Sequence, residues 1–194
     1  MMSPKFWEYF LNIESDLARC SRYVEFAPAN YGTYSNEFAQ IIVTAASEVD
    51  AILRETCAIV DPQCRANNIN EYFSIIAAAF PGFTQCGVDI RRNGLSIQPW
   101  LDWSAGQSPS WWGKGFTKLK HDRTNNFETA SLSNALKAVG ALFLTVLHFH
   151  HLPTKSALNV DINRGTQLFT PTNIHGYQGG ARWFYGIPKM EGVQ

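Results

Sequence analysis

Charge is scarce in this 194-residue chain. Asp, Glu, Lys and Arg make up 16% of it, against roughly 25% in an average soluble domain. Sixteen bases balance sixteen acids, so no global field draws the protein onto nucleic acid or membrane. Cysteine is sparse as well. Cys20, Cys57, Cys64 and Cys86 form no CxxC pair and no regular framework, which argues against a disulfide-stapled scaffold and for reduced thiols that pack. A Cys57–Cys64 redox pair is the alternative reading. Long apolar runs are missing too. The most apolar stretch, residues 138–147, is interrupted by Thr145 and followed by His148, well short of the roughly 20 residues that span a bilayer. The opening MMSPKFWEYF lacks a basic segment leading into an apolar one, so no secretion signal is expected. These absences point to a cytoplasmic protein with no membrane partner.

Familiar catalytic signatures are also absent. The chain contains no GxxxxGK[ST], GxGxxG after a strand, HExxH, GxSxG or paired-CxxC zinc site. What it does contain is apolar and aromatic, 45% and 13% of residues, which excludes a disordered chain. Its neutrality is uneven. Residues 1–61 hold nine acids and four bases, and residues 62–194 hold seven acids and twelve bases. Either two solvated faces attract one another, or the second part carries a local basic site for phosphate.

Hydrophobic periodicity predicts about five helices. Ser3-Pro4 is a helix start, and Phe6, Phe10, Ile13 and Leu17 form one stripe on a helix to about residue 22. After a Pro-, Asn- and Gly-bearing loop, Ser35 or Asn36 caps a helix that buries Phe38, Ile41, Ile42, Ala45, Val49, Ile52 and Leu53. It ends near Val60, before Asp61-Pro62. A third, short helix begins at Asn70 and stops at Pro81-Gly82. The period then changes to two. Val88 and Ile90, then Asn93-Gly94, then Leu95 and Ile97, spell a β-hairpin near 86–98, with positive φ at both turn residues. A Trp-rich loop leads to a helix opened by Ser108-Pro109 or Ser110 and running to about Lys120. HDRTNN breaks it. The last helix runs from near Phe127 to about His151, some 25 residues or roughly 37 Å. Apolar on nearly every face, it is the expected centre of the bundle, and Pro153 ends it. The fold class is therefore mainly α, with residues 1–152 as a helical bundle bearing one hairpin. Residues 153–194 read as an irregular arm, or a few short strands, packed on it.

The segment WWGKGFTKLKHDRTNNF carries the clearest chemistry. Lys114, Lys118, Lys120 and Arg123 outnumber the one acid, Asp122, and flank His121. Bases in a last helical turn complement the dipole without further purpose. A histidine beside cations can also move a proton during phosphodiester cleavage while its neighbours neutralise developing charge.

This basic, aromatic-led helix ends in K-H-D-R and is followed at once by FETASLSNALKAVGALFLTVLHF. The arrangement resembles proteins of the HEPN group (higher eukaryotes and prokaryotes nucleotide-binding). The likeness spans roughly residues 111–151, and more loosely 35–60. It implies a compact helical bundle, a homodimer, and metal-independent RNA cleavage in a toxin–antitoxin or phage-defence system, with no cofactor. The family signature is an Arg, a polar neighbour, and four to six residues before a His. His121 matches that His. Lys114 stands at the Arg position and Gly115 at that of its polar neighbour. The resemblance thus implies His121 and Lys114 as catalytic residues, Lys118, Lys120 and Arg123 as phosphate contacts, and RNA, a twin subunit and an antitoxin or other protein as partners.

Two further sets compete. His148 and His151, three apart near a helix end, could share a metal with His175 or a carboxylate, with His150 between them. Trp103, Trp111 and Trp112, with Trp100, could form an aromatic surface on which bases stack. They could equally cover the mouth of the bundle or fill a dimer interface. In that last case the protein is a non-catalytic dimeric interaction module.

Overall fold

The computed structural model describes residues 6–91, 93–152, 160–162, 165–172, 175–179 and 182–186. Ser3, Pro4 and Pro153 lie outside them. The described chain holds five α-helices: α1 (Trp7–Cys20), α2 (Asn36–Val60), α3 (Ile69–Ala79), α4 (Thr117–Asp122) and α5 (Leu132–His151). A hairpin of β1 (Gly87–Ile90) and β2 (Leu95–Ile97) follows α3. The arm supplies β3 (Val160–Ile162), β4 (Phe169–Thr172), β5 (His175–Gly179) and β6 (Arg182–Gly186).

Local chemistry sets most boundaries. Ser35 Oγ accepts the Phe38 N–H at 3.1 Å, which satisfies one of the orphan donors at the start of α2. The seven apolar positions expected to face inward on α2 are all buried. Helix α3 starts at Ile69, because the side chain of Asn68 takes the N–H groups of Asn70 and Glu71. Glu71 reaches back to the Asn67 N–H at 2.9 Å, a reciprocal cap. The last helix begins at Leu132 and not near Phe127. Residues Phe127–Thr129 form a 3-10 turn, and Ser131 is then extended, bridging to Tyr34 and capping the Asn134 N–H. The Leu132 N–H donates to Thr33 O at 2.8 Å, and the Ser35 N–H to Ala130 O at 3.2 Å. These bonds tie the entry of α5 to the entry of α2.

The hairpin is present, but its turn is wider than Asn93-Gly94 alone implies. Four residues separate β1 from β2, with Ile90 opposite Leu95, and of Asn93 and Gly94 only Gly94 has positive φ, at 63°. The hairpin does not stand alone. The arm contributes β4, antiparallel to β1 on its other side, in the order β2-β1-β4. Strands β3, β6 and β5 form a second antiparallel sheet. The arm's described parts are thus strands more than irregular chain. Val88, Ile90 and Phe169 point into the core, and Asp89 points out. Gly140 of α5 makes room for this sheet. A Cβ there would come within 3.0 Å of Val88 Cγ2 and 3.3 Å of Ile97 Cδ1.

Helix α5 is the centre of the core. Phe143 stacks on Phe10 of α1, with centroids 5.1 Å apart, and on Phe169 of β4 at 6.2 Å. The stretch Leu132–His150 is long and apolar enough to cross a membrane by length and composition, unlike the shorter run expected from sequence. Its most apolar window is 83% buried inside the fold. An all-round apolar helix is what the middle of a bundle requires.

Candidate functional site: the basic elbow at α4

The chain reaches α4 through a wide helical turn, Trp111–Phe116, in π geometry, closed by the Thr117 N–H donating to Trp112 O. Single π turns inside helices occur frequently at functional sites. Pro109 starts this one, its carbonyl taking the N–H groups of Trp112 and Gly113, each at 2.9 Å. Two glycines let it press inward. A Cβ on Gly115 would sit 3.1 Å from Asn134 Nδ2 on α5, and one on Gly113 would sit 2.8 Å from Ser108 Oγ. The turn and α4 bury Trp111, Trp112, Phe116 and Leu119. They leave Lys114, Lys118, Lys120, His121, Asp122 and Arg123 exposed. Lys114 and Lys118, four apart in sequence, therefore lie on either side of a π-to-α junction, and both face solvent.

The exposed residues fall into two groups. Arg123 is held in place: its Nη2 donates to Asn36 Oδ1, and its guanidinium lies 5.2 Å from the Phe127 ring centroid. Lys120 Nζ lies 5.6 Å from the Phe116 ring. Asp122 is occupied, its carboxylate accepting the side-chain amides of Asn125 and Asn126 and its carbonyl also taking Asn126 Nδ2. Those bonds form the turn that breaks the helix. The side chains of Lys114, Lys118 and His121, by contrast, make no hydrogen bond or ion pair to any described residue. Beside Arg123 a groove of about 360 Å³ is lined by Asn36, Ala39, Gln40, Val43 and Thr44 of α2 and by Leu119 and Arg123. It combines amide edges with an apolar floor.

The aromatic surface does not exist as such. Trp103, Trp111 and Trp112 are 3%, 0% and 7% exposed, and Trp100 is fully buried. They form one interior chain of edge and tilted contacts, Trp103–Trp100–Trp111–Trp112, with centroids 4.8 to 5.6 Å apart. Trp103 Nε1 donates to Ile69 O and Trp111 Nε1 to Pro99 O. Rings of this size gain more from the core than from water, and loop residues can reach it. These tryptophans are packing groups.

The expected histidine metal site also fails at its first member. His148 is buried between Phe80 and Phe83, whose rings meet it edge-on at 5.2 and 4.7 Å. Its Nδ1 lies 2.7 Å from Leu144 O. A carbonyl only accepts, so Nδ1 carries the proton. Nε2 then faces Cys86 Sγ at 4.0 Å. Both nitrogens thus face protein groups in a dry setting. The side chains of His151 and His175 lie outside the described residues. Among those described, no group of three His, Cys, Asp or Glu side chains is placed to hold a metal.

Sequence reasoning missed Glu14. Its carboxylate is fully buried and accepts the backbone N–H groups of Gln167, Leu168 and Phe169 at 2.9, 3.0 and 3.2 Å. Burial pushes its pKa up, while the three N–H donors and Arg91 pull it back. Glu14 thus clips the start of β4 onto α1. The signal was present: Glu14 lies four residues after Phe10 and three before Leu17, on the inward stripe. No family model, curated protein or solved structure matches the chain.

Proposed function

We propose that this protein binds RNA at the α4 elbow and cleaves it without a metal, as a HEPN-like homodimer in the cytoplasm, in a toxin–antitoxin or phage-defence setting. One observation carries the reading. The ring of His121 is exposed and makes no hydrogen bond or ion pair with any described residue, in a stretch where four bases face a single, already occupied acid. A histidine kept for helix capping or turn formation would be bonded to the turn beside it, as Asp122 is.

In this reading His121 takes the proton of a ribose 2′-hydroxyl as its oxygen attacks the adjacent phosphorus. The P–O5′ bond breaks, leaving a 2′,3′-cyclic phosphate and a 5′-hydroxyl end. Lys114, in the position of the family's Arg, and Lys118 neutralise the charge that grows on the phosphoryl oxygens. Lysine offers a point charge without the guanidinium fork. Arg123, already fixed by Asn36 and Phe127, holds a neighbouring phosphate. The groove beside it has room and hydrogen-bonding edges for a base. A twin subunit brings a second His121 to supply the leaving-group proton.

The test is incubation of the purified chain with mixed RNA in EDTA, beside a His121→Ala variant whose fold is checked by circular dichroism. The reading expects cleavage to fall by roughly 10²- to 10⁴-fold in the variant. Binding should survive there, while Lys114→Gln with Lys118→Gln flattens the salt dependence of affinity by about 1.4 in log–log slope. The second reading, a non-catalytic dimeric interaction module, is favoured by Tyr23, 87% exposed beside a cleft of about 450 Å³ that Arg19, Arg22 and Glu37 also line. A dimer that neither cleaves nor binds RNA would establish it instead.

A further inference from the structure

The turn of the hairpin holds a reactive dipeptide far from the basic elbow in kind. Asn93-Gly94 is the one Asn-Gly step in the chain, and it lies in the four-residue turn between β1 and β2. Gly94 is exposed, with positive φ. A Cβ there would meet nothing within 4 Å, so no neighbour crowds its backbone. The Gly94 N–H makes no hydrogen bond with any described residue. With no side chain in the way, that nitrogen is open to the side chain of the residue before it.

Asn93 is held at one end only. Its Nδ2 donates to Glu25 Oε1, a bond made across 68 positions of sequence. Glu25 is fixed in turn, because Asn30 Nδ2 donates to Glu25 O at 2.9 Å. The contact clasps the hairpin turn to the loop that follows α1. Asn93 Oδ1, by contrast, is buried and accepts from no described residue. Few buried acceptors in folded proteins stay unmet. Here the consequence is that no donor pins the side-chain carbonyl, whose carbon lies next in the chain to an unengaged backbone nitrogen.

We propose that Asn93 is a site of covalent self-modification that turns this clasp from attractive to repulsive. The Gly94 nitrogen gives up its proton to water and attacks Asn93 Cγ. A C–N bond forms, the Cγ–Nδ2 bond breaks, and ammonia leaves after taking a proton from solvent. Water then opens the five-membered imide at either carbonyl, giving aspartate or isoaspartate at position 93. One water is consumed and one ammonia released, with nothing oxidised or reduced. The product carboxylate stands where an amide donor met Glu25, so the hydrogen bond is lost and two like charges face each other. Isoaspartate also lengthens the backbone of the turn by one carbon.

The experiment incubates the folded full-length chain at mildly alkaline pH and follows it by peptide mapping, with isoaspartate labelled enzymatically. The expected gain of about 1 Da is confined to the peptide that carries Asn93, while Asn67, Asn68, Asn125 and Asn126 stay unchanged. Amide exchange in β1 and β2 then reads the clasp. Asn93→Asp should lower protection there by roughly 3- to 30-fold, as loss of a hydrogen bond to a charged group implies. Adding Glu25→Gln to that variant should restore protection, because the new amide donates to the new carboxylate. Three results would each overturn the proposal: no mass gain at Asn93 while a synthetic peptide of residues 88–98 converts, modification spread evenly over the asparagines, or wild-type protection in Asn93→Asp. The wild-type time course decides even where a variant folds poorly, and RNA cleavage plays no part in the readout.

Discussion

The C-terminal end of α5 and the elbow at α4 each place a histidine in the closing turns of a helix, where the dipole favours a cation. From there they diverge. His148 is enclosed by Phe80 and Phe83, its Nδ1 on Leu144 O and its Nε2 facing Cys86. His121 stands in solvent among lysines, bonded to no described residue. The same residue type at the same kind of helical position is structural in one place and chemically available in the other. Burial makes the difference. Inside, a polar group must be satisfied by protein, so its atoms are committed. At the elbow, water satisfies it, and a ligand can take water's place.

That contrast can be broken or sharpened by substitution, most severely in the interior. Glu14→Ala strands three N–H groups, those of Leu168 and Phe169 buried, each buried one worth roughly 1–3 kcal/mol when left unmade, so the urea midpoint should fall by an amount equivalent to about 3 kcal/mol or more. Glu14 also predicts a pH trend. Its pKa in the folded chain is raised above the ordinary glutamate value, mainly by burial, so the folded state binds the proton more tightly. The stabilisation from that group is complete below the ordinary range and is lost as pH rises through the raised folded value. Glu14→Gln should flatten stability across that window. Parallel urea-midpoint curves for wild type and Glu14→Gln would contradict the desolvated reading.

Next in size is His148→Ala, which removes a buried ring from between two phenylalanines and should cost about 2–4 kcal/mol in thermal or urea unfolding. Gly140→Val drives a branched side chain into Val88 and Ile97 of the sheet, at roughly 1–3 kcal/mol, and should loosen amide protection in β1. Smallest is His121→Ala, with a change of at most about 0.5 kcal/mol in stability. If His121→Ala destabilises as much as His148→Ala, the elbow is a packed structural turn and the contrast collapses.

Much of the fold was legible because it rests on local rules. Ser35 stops and starts backbone hydrogen bonding wherever it precedes a helix, and α2 follows from its cap to Val60. The apolar stripe of α1 and the all-apolar middle of α5 were equally readable. The entry of α5 was not. Residues 127–129 have helical propensity, but their continuation is cut by a backbone bridge from Tyr34, ninety-seven positions earlier in the chain, to Ser131. The wide hairpin turn escaped for the same reason, and the choice between surface and packing for Trp100, Trp103 and Trp111 stayed open, since each depends on partners distant in sequence. In the candidate site, the cluster of bases around His121 could be read directly. The exposure of the ring and the fixing of Arg123 by Asn36 and Phe127 could not.

Sequence alone located the cores of the five helices and the hairpin, and showed that one short stretch concentrates positive charge beside a histidine. Periodicity, capping and composition act over a few residues, so they can be read along the chain. Tertiary structure alone decided that β4 completes the hairpin's sheet, that Glu14 holds its entry, and that the tryptophans turn inward. It also decided which histidine is sealed and which is open to solvent. Those outcomes depend on how apolar surface from distant segments is buried together, and no local pattern encodes which polar atoms that burial will enclose.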